Sequence, residues 1–292
     1  MKHCICLTSA IAVMAFTASP TFAQDPTGPP PLLRIIREDI KPGRAAAHER
    51  IETGYVRAFS KSKYPNYIAM TSLTGTDQAW FIEAYENYAA LDAALQLVDH
   101  DPVLKKQLNQ IDPQDGDVRT GGRGMILTYQ KDLSYRGDEL VRDIPKAHYM
   151  RVQTIRIKSG HGPEYADVRK SLNAALAKMN VAAPAAVYSV ASGAAAGTYI
   201  VFRPAESLKS MDPGPAPTMT IAQAMGGDAA FASYRKANND VVVSSENVLF
   251  IFSPTMSYPP KRFTDVNPSF WAPKPAAAAV PAKAAAKPAG SK

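Results

Sequence analysis

Few side chains in this 292-residue sequence are equipped for chemistry. Beyond the first two dozen residues the histidines are His48, His100, His148 and His161. His100 stands between Asp99 and Asp101, but three neighbours face one ion only in a strained loop. Asp101 before Pro102 instead has the form of a helix cap followed by proline at the first helical position. His48 falls on a helix and His161 just before one, where the solvent face is the ordinary place for them. No metal site is expected. Both cysteines, Cys4 and Cys6, lie in the leader, so thiol nucleophiles, disulfides and cysteine ligands are excluded from the rest. The sequence lacks a Gly-x-Ser-x-Gly elbow, a His-Glu-x-x-His helix, a phosphate-binding loop with its lysine and a dinucleotide fingerprint. Ser192 to Gly197 is glycine-rich but has no lysine and reads as a hairpin turn. Catalytic residues are therefore unassigned.

What remains is a set of charges in apolar strands. Arg34 lies on the first strand and Glu83 on the third, with Arg151 and Arg203 at the matching places further on. Such groups either pair with one another or line a pocket. Aromatics gather in the same part of the chain: Tyr55, Tyr67, Trp80, Tyr85 and Tyr88. Small-molecule sites are mostly apolar with a few convergent polar groups. On that basis Trp80 and Tyr67 are the expected walls, Tyr55 and Tyr88 the cover, and Glu83 or Arg34 the polar anchor for a small apolar or aromatic ligand.

The elements that must position these residues occur twice. Leu32-Leu33-Arg34-Ile35 leading to Ile40-Lys41-Pro42-Gly43 matches Tyr149-Met150-Arg151-Val152 leading to Ile157-Lys158-Ser159-Gly160, 117 residues later. A helix follows each, with stripes at Ala47, Ile51, Tyr55, Ala58 and at Tyr165, Val168, Leu172, Leu176, Met179. Then come two strands about a small-residue turn: Tyr67 to Leu73 with Ala79 to Tyr85, and Ala186 to Ala191 with Thr198 to Phe202. A second helix follows (Tyr88, Leu91, Leu95; Leu208, Met211), and next a short one capped at Asp101 or Asp228. A last strand, Met125 to Tyr129 or Val248 to Phe252, ends each unit. The fold class is α+β: two tandem ferredoxin-like βαββαβ repeats. Strands such as Trp80-Phe81-Ile82 and Tyr199 to Phe202 are apolar on both faces. A sheet with one wet face would alternate, so the two sheets are expected to close into one pseudo-dimeric α/β barrel with helices outside.

Ile40-Lys41-Pro42-Gly43-Arg44, Ile157-Lys158-Ser159-Gly160-His161 and the run Trp80 to Tyr85 before Ala89-Ala90-Leu91 resemble the dimeric α/β-barrel superfamily. That group includes stress-responsive A/B barrel, antibiotic-biosynthesis monooxygenase-like and NIPSNAP proteins. The resemblance spans about 220 residues through spacing and hydrophobic texture, and it implies a fold together with a cofactor-independent monooxygenase-like activity. Haem-binding relatives use a helix histidine as axial ligand; the helix after the second hairpin has none, and no cofactor is expected.

The ends set compartment and partners. Lys2, an apolar run from Ile5 to Phe16 and Thr21-Phe22-Ala23 before Gln24 have the form of a cleaved secretory signal, which places the protein in the periplasm or outside the cell. The net charge of +7 is 33 Lys and Arg less 26 Asp and Glu. Lys2 leaves with the signal, and Lys274, Lys283, Lys287 and Lys292 carry four more, so the folded part has about +2 and no nucleic-acid surface. The expected divisions are a signal at 1–23, a disordered lead-in at 24–31, repeats at 32–135 and 148–258 around a linker at 136–147, and an extended, disordered Ala/Pro/Lys tail at 259–292. No mature segment is long and apolar enough to span a bilayer. The leading function is a non-catalytic, exported small-molecule-binding or accessory protein. The alternatives are the monooxygenase-like enzyme and a scaffold tethered through its basic tail to an anionic cell-envelope polymer.

Overall fold

The computed structural model describes residues 28–212 and 218–272. The first half contains β1 (Leu32–Ile40), α1 (Ala45–Phe59), β2 (Tyr67–Ser72), β3 (Gln78–Tyr85), α2 (Tyr88–His100), α3 (Pro102–Gly116) and β4 (Arg119–Tyr129). A short helix α4 (Gly137–Asp143) leads to β5 (Tyr149–Ile157), α5 (Gly162–Lys178), β6 (Ala186–Ser192), β7 (Thr198–Ala205), α6 (Ile221–Met225), α7 (Asp228–Val241) and β8 (Val242–Phe252). Two further helices, α8 (Lys261–Val266) and α9 (Pro268–Trp271), close the described chain.

The eight strands form one closed antiparallel barrel in the order β1-β3-β2-β8-β5-β7-β6-β4. Strands of the first half are contiguous, as are those of the second, and the two sets meet at the seams β2–β8 and β4–β6. At the second seam a side chain on Gly193, which has a positive φ, would collide with the Gly124 carbonyl. The small-residue turn is thus a requirement of closure.

Side chains alternate across each strand. Leu33, Ile35, Ile68, Met70, Trp80, Ile82, Met125, Leu127 and their second-half counterparts fill the barrel in a single core. The opposite faces lie under the helices, with Tyr67, Ala69 and Phe81 on one side and Ile155, Val187 and Val201 on the other. Two apolar faces per strand are what this architecture needs.

Several boundaries differ from expectation. The linker is helical: α4 buries Leu140 and Val141 against the barrel. Of the lead-in, Pro29 is buried and the Pro30 carbonyl accepts a hydrogen bond from the Tyr188 hydroxyl; 24–27 and the signal lie outside the described residues. The tail does not begin at 259, because α8 and α9 pack Phe263 and Trp271 into the core. Only from 273 does the expected tail lie outside the described residues. In the second half Leu208 and Met211 belong to a 3-10 turn, not a helix matching α2. Asp101 caps α3 through Val103 and Leu104, whereas Asp228 makes no cap and is the first residue of α7. Among the described residues no helix is long and apolar enough to cross a membrane.

Candidate functional site

The barrel interior leaves a pocket of only about 90 Å³, at one end, lined largely by apolar side chains such as Leu33, Ile82 and Phe202. A far larger cleft, about 640 Å³, opens on the outer face of the first-half sheet beneath α1, α2 and α3. Its floor is Arg34, Ile36 and Glu38, every second residue of β1, with Tyr67 of β2 and Phe81 and Glu83 of β3. Tyr55, Phe59 and Tyr64 add aromatic walls; Leu95 and Val98 of α2 and Leu108 of α3 add aliphatic ones.

Glu83 organises one end. β1 and β3 place it directly opposite Arg34, and Arg34 Nη1 donates to both its oxygens at 3.0 and 3.2 Å. The hydroxyls of Tyr64 and Tyr85 donate to the same carboxylate at 2.8 and 2.9 Å. A buried charge is tolerated when it is paired and fully hydrogen-bonded, and Glu83 is both. Burial and the Glu83 charge push the Tyr64 and Tyr85 hydroxyls far above their usual range, so both remain donors. Burial is the largest influence on Arg34 and works to lower its pKa, but the attraction of and hydrogen bond to Glu83, together with Tyr64 and Tyr85, outweigh it and the net direction is up. Nearby, the Tyr67 hydroxyl is buried without a hydrogen-bond partner, which leaves a donor for a ligand.

The other end is an acidic cluster. Glu38 from β1, His48 and Glu52 from α1 and Asp115 from α3 are all at least nine-tenths buried. His48 Nε2 lies 2.7 Å from Glu38 Oε2, 3.7 Å from Glu52 Oε1 and 3.8 Å from Asp115 Oδ1. Arg119, at the start of β4, holds the outer oxygens of Glu38 and Asp115 at 2.6 and 2.7 Å. Burial, then the charges of Glu38 and Asp115, raise Glu52 well above the usual carboxylate range. Burial and Glu38 raise Asp115 to about 6, against the pull of Arg119 and His48.

Of the six residues expected to form a pocket, Arg34, Tyr55, Tyr67 and Glu83 line this cleft. Trp80 does not. It points into the barrel, packs on Phe250 at a ring separation of 5.2 Å, and donates its indole N–H to Gln78. Tyr88 is 56% exposed in the first turn of α2 and covers nothing in the cleft. His48, expected at the solvent face, is buried. On α1 the expected stripe holds at Ala58, which is buried, and at Tyr55, which lines the cleft, whereas His48 and Glu52 replace Ala47 and Ile51 as the buried residues of the first turns. A histidine and a glutamate four apart on the face that carries Val56 and Phe59 were the signal available in the sequence.

No protein-family model matches this chain, and no curated protein matches it. Solved structures similar to it include a candidate monooxygenase from Fusobacterium nucleatum, at 12% identity and a TM-score of 0.48, covering 77% of this chain and 93% of that one. A candidate monooxygenase from Lactobacillus acidophilus scores 0.45 at 9% identity, covering 76% of this chain and 94% of its own. A chlorite dismutase variant from Candidatus Nitrospira defluvii scores 0.44 at 10% identity, covering 77% and 93%. With TM-scores below 0.5, none of them bears on the chemistry of this chain.

Proposed function

We propose that this protein is an exported small-molecule-binding barrel, built as two tandem ferredoxin-like repeats of the dimeric α/β-barrel kind, whose ligand enters the cleft beside α1. The repeat reading is supported by the matching strand orders β4-β1-β3-β2 and β8-β5-β7-β6. Equivalent register shifts at Asp39/Ile40 and Arg156/Ile157 support it too. The observation that carries the binding reading is the cleft itself. At about 640 Å³ it falls within the range of small-molecule sites, roughly 300–1,000 Å³, and it combines aromatic walls with the Arg34–Glu83 pair.

The charge of the lining narrows the ligand. Glu38, Glu52, Glu83, Asp99, Asp112 and Asp115 face only Arg34 and Arg119 among the lining residues. Clefts lined by one sign of charge concentrate the opposite sign, and aromatic faces attract cations. The preferred ligand is a small aromatic molecule carrying an amine. Calorimetric titration of the mature chain should show arylalkylamines binding at least tenfold more tightly than arylalkanoates of equal length. Ile36→Phe, which fills the floor, should weaken that binding at least tenfold. Binding unaffected by Ile36→Phe, or no binding at millimolar amine, would remove the reading.

Export is part of the same proposal, and it rests on the leader sequence. Protein recovered from the exporting cell should begin at Gln24, or its cyclised form, and contain no cysteine. An intact mass that retains Cys4 would contradict it. The tether alternative concerns the basic segment beyond 272, which the cleft neither requires nor opposes.

A further inference from the structure

We propose that Glu38, His48, Glu52 and Asp115 form a binding site for a single first-row divalent cation at the inner end of the cleft. Each offers one donor atom, and the four donors lie within 4.8 Å of one another. Donors bound at ~2.1 Å around a tetrahedral ion are roughly 3.4 Å apart. The spacings from His48 Nε2, 2.7 to 3.8 Å, bracket that value, so small side-chain movements complete the sphere.

Two further observations point to a cation. Glu52 Oε1 and Asp115 Oδ1 are buried with no hydrogen-bond partner, and they face the same imidazole nitrogen. Buried polar atoms are nearly always satisfied, and a metal ion would satisfy both. Arg119 meanwhile binds the far oxygens of Glu38 and Asp115. That is the orienting role of residues behind metal ligands, where an outer partner turns the ligating oxygen inward. Ligating carboxylates are ionised, and in that form three carboxylates with one guanidinium carry two excess negative charges, which a divalent ion neutralises.

The fold does not demand these residues. In the second half Ile155 stands two residues before the end of β5, as Glu38 does in β1. Tyr165 and Arg169 are the fourth and eighth residues of α5, as His48 and Glu52 are of α1. All three are buried, and none of them is an acid or a histidine. The same sheet-and-helix junction therefore closes with an apolar residue, a phenol and a guanidinium. The Tyr165 hydroxyl and Arg169 Nε are also buried without hydrogen-bond partners, so what sets the first half apart is the kind of donor, one imidazole and three carboxylates converging within 4.8 Å. One imidazole with three carboxylates suits Mn²⁺, Fe²⁺ or Zn²⁺ better than Mg²⁺ or Ca²⁺, which take oxygen alone.

The test uses the mature full-length chain stripped with chelator, then titrated with Mn²⁺ by loss of the free-ion electron paramagnetic resonance signal, and with Zn²⁺ by calorimetry. One ion per chain with a micromolar or lower dissociation constant is expected, together with a rise in melting temperature. Glu52→Gln preserves shape and should weaken binding at least thirtyfold. It should melt no lower than the wild type without metal, since it replaces a buried carboxyl whose Oε1 has no hydrogen-bond partner with an amide of the same shape. Arg119→Gln should weaken binding several-fold by releasing the carboxylates it orients. Less than one ion per chain in the wild type, or equal binding by a folded Glu52→Gln, would overturn the site. Amine binding in chelator is measured separately, so failure of the metal site and failure of the cleft are distinguished.

Discussion

Replacing Trp271 with alanine is expected to destabilise the protein by about 3–5 kcal/mol, the range for deleting a fully buried tryptophan. Trp271 is 1% exposed. Its ring meets those of Phe252, Phe263 and Phe270 at centroid separations of 5.5, 5.1 and 5.0 Å. Its indole N–H donates to the Pro145 carbonyl at 2.7 Å, tying α9 to the segment just before β5. The substitution opens a cavity and leaves that carbonyl without its partner. Ending the chain after Ala272 removes none of these contacts and should change stability by less than about 0.5 kcal/mol. Urea unfolding of the two variants provides the comparison. A Trp271→Ala loss below about 1 kcal/mol would mean that α8 and α9 are not part of the core.

Glu83→Ala should have a comparable effect for a different reason. Removing one partner of a buried ion pair costs about 3–5 kcal/mol, because the other charge is left unpaired. Here the loss also strands the hydroxyls of Tyr64 and Tyr85, both of which donate to Glu83. Arg34 keeps about a quarter of its side chain exposed, so solvent softens the penalty and the lower part of the range is expected. Glu83→Gln retains acceptor capacity and should lose less, about 1–3 kcal/mol. The double variant Arg34→Ala/Glu83→Ala should be more stable than the sum of the single losses implies, by about 1 kcal/mol or more. Strict additivity in that cycle would show that the pair does not act as a unit. Because Glu83 is part of the acidic lining and neutralises Arg34 at the cleft floor, Glu83→Ala should reduce amine binding even where the variant remains folded.

Much of the architecture follows from local pattern. Strands apolar on both faces have only two places to go, and in this chain one face meets helices and the other the barrel core. Asp101 followed by Pro102 specifies its own helix start through short-range hydrogen bonds. Arg34 and Glu83 stood out because a charge within an apolar strand needs a partner. Each is a statement about neighbours a few residues apart, or about a period of two, and a linear sequence carries such information directly.

Other features depend on contacts that a linear sequence does not express. Trp80 and Phe81 are adjacent, both are large and apolar, and only the register of β3 against β1 and β2 decides which enters the barrel and which faces the cleft. Trp271 follows Pro259, Pro260 and Pro268 and precedes the Ala/Pro/Lys run, so composition assigns it to the tail; its indole is held by Pro145, 126 residues away. The acidic cluster is the clearest case. Glu38 and Arg119 are 81 residues apart and His48 and Glu52 look like an ordinary solvated pair on a helix. They become a buried charged group only when α1 lies on β1 and α3 delivers Asp115. Burial is a property of the assembled layers, and the electrostatic consequence of placing three carboxylates there exists only after the chain has folded.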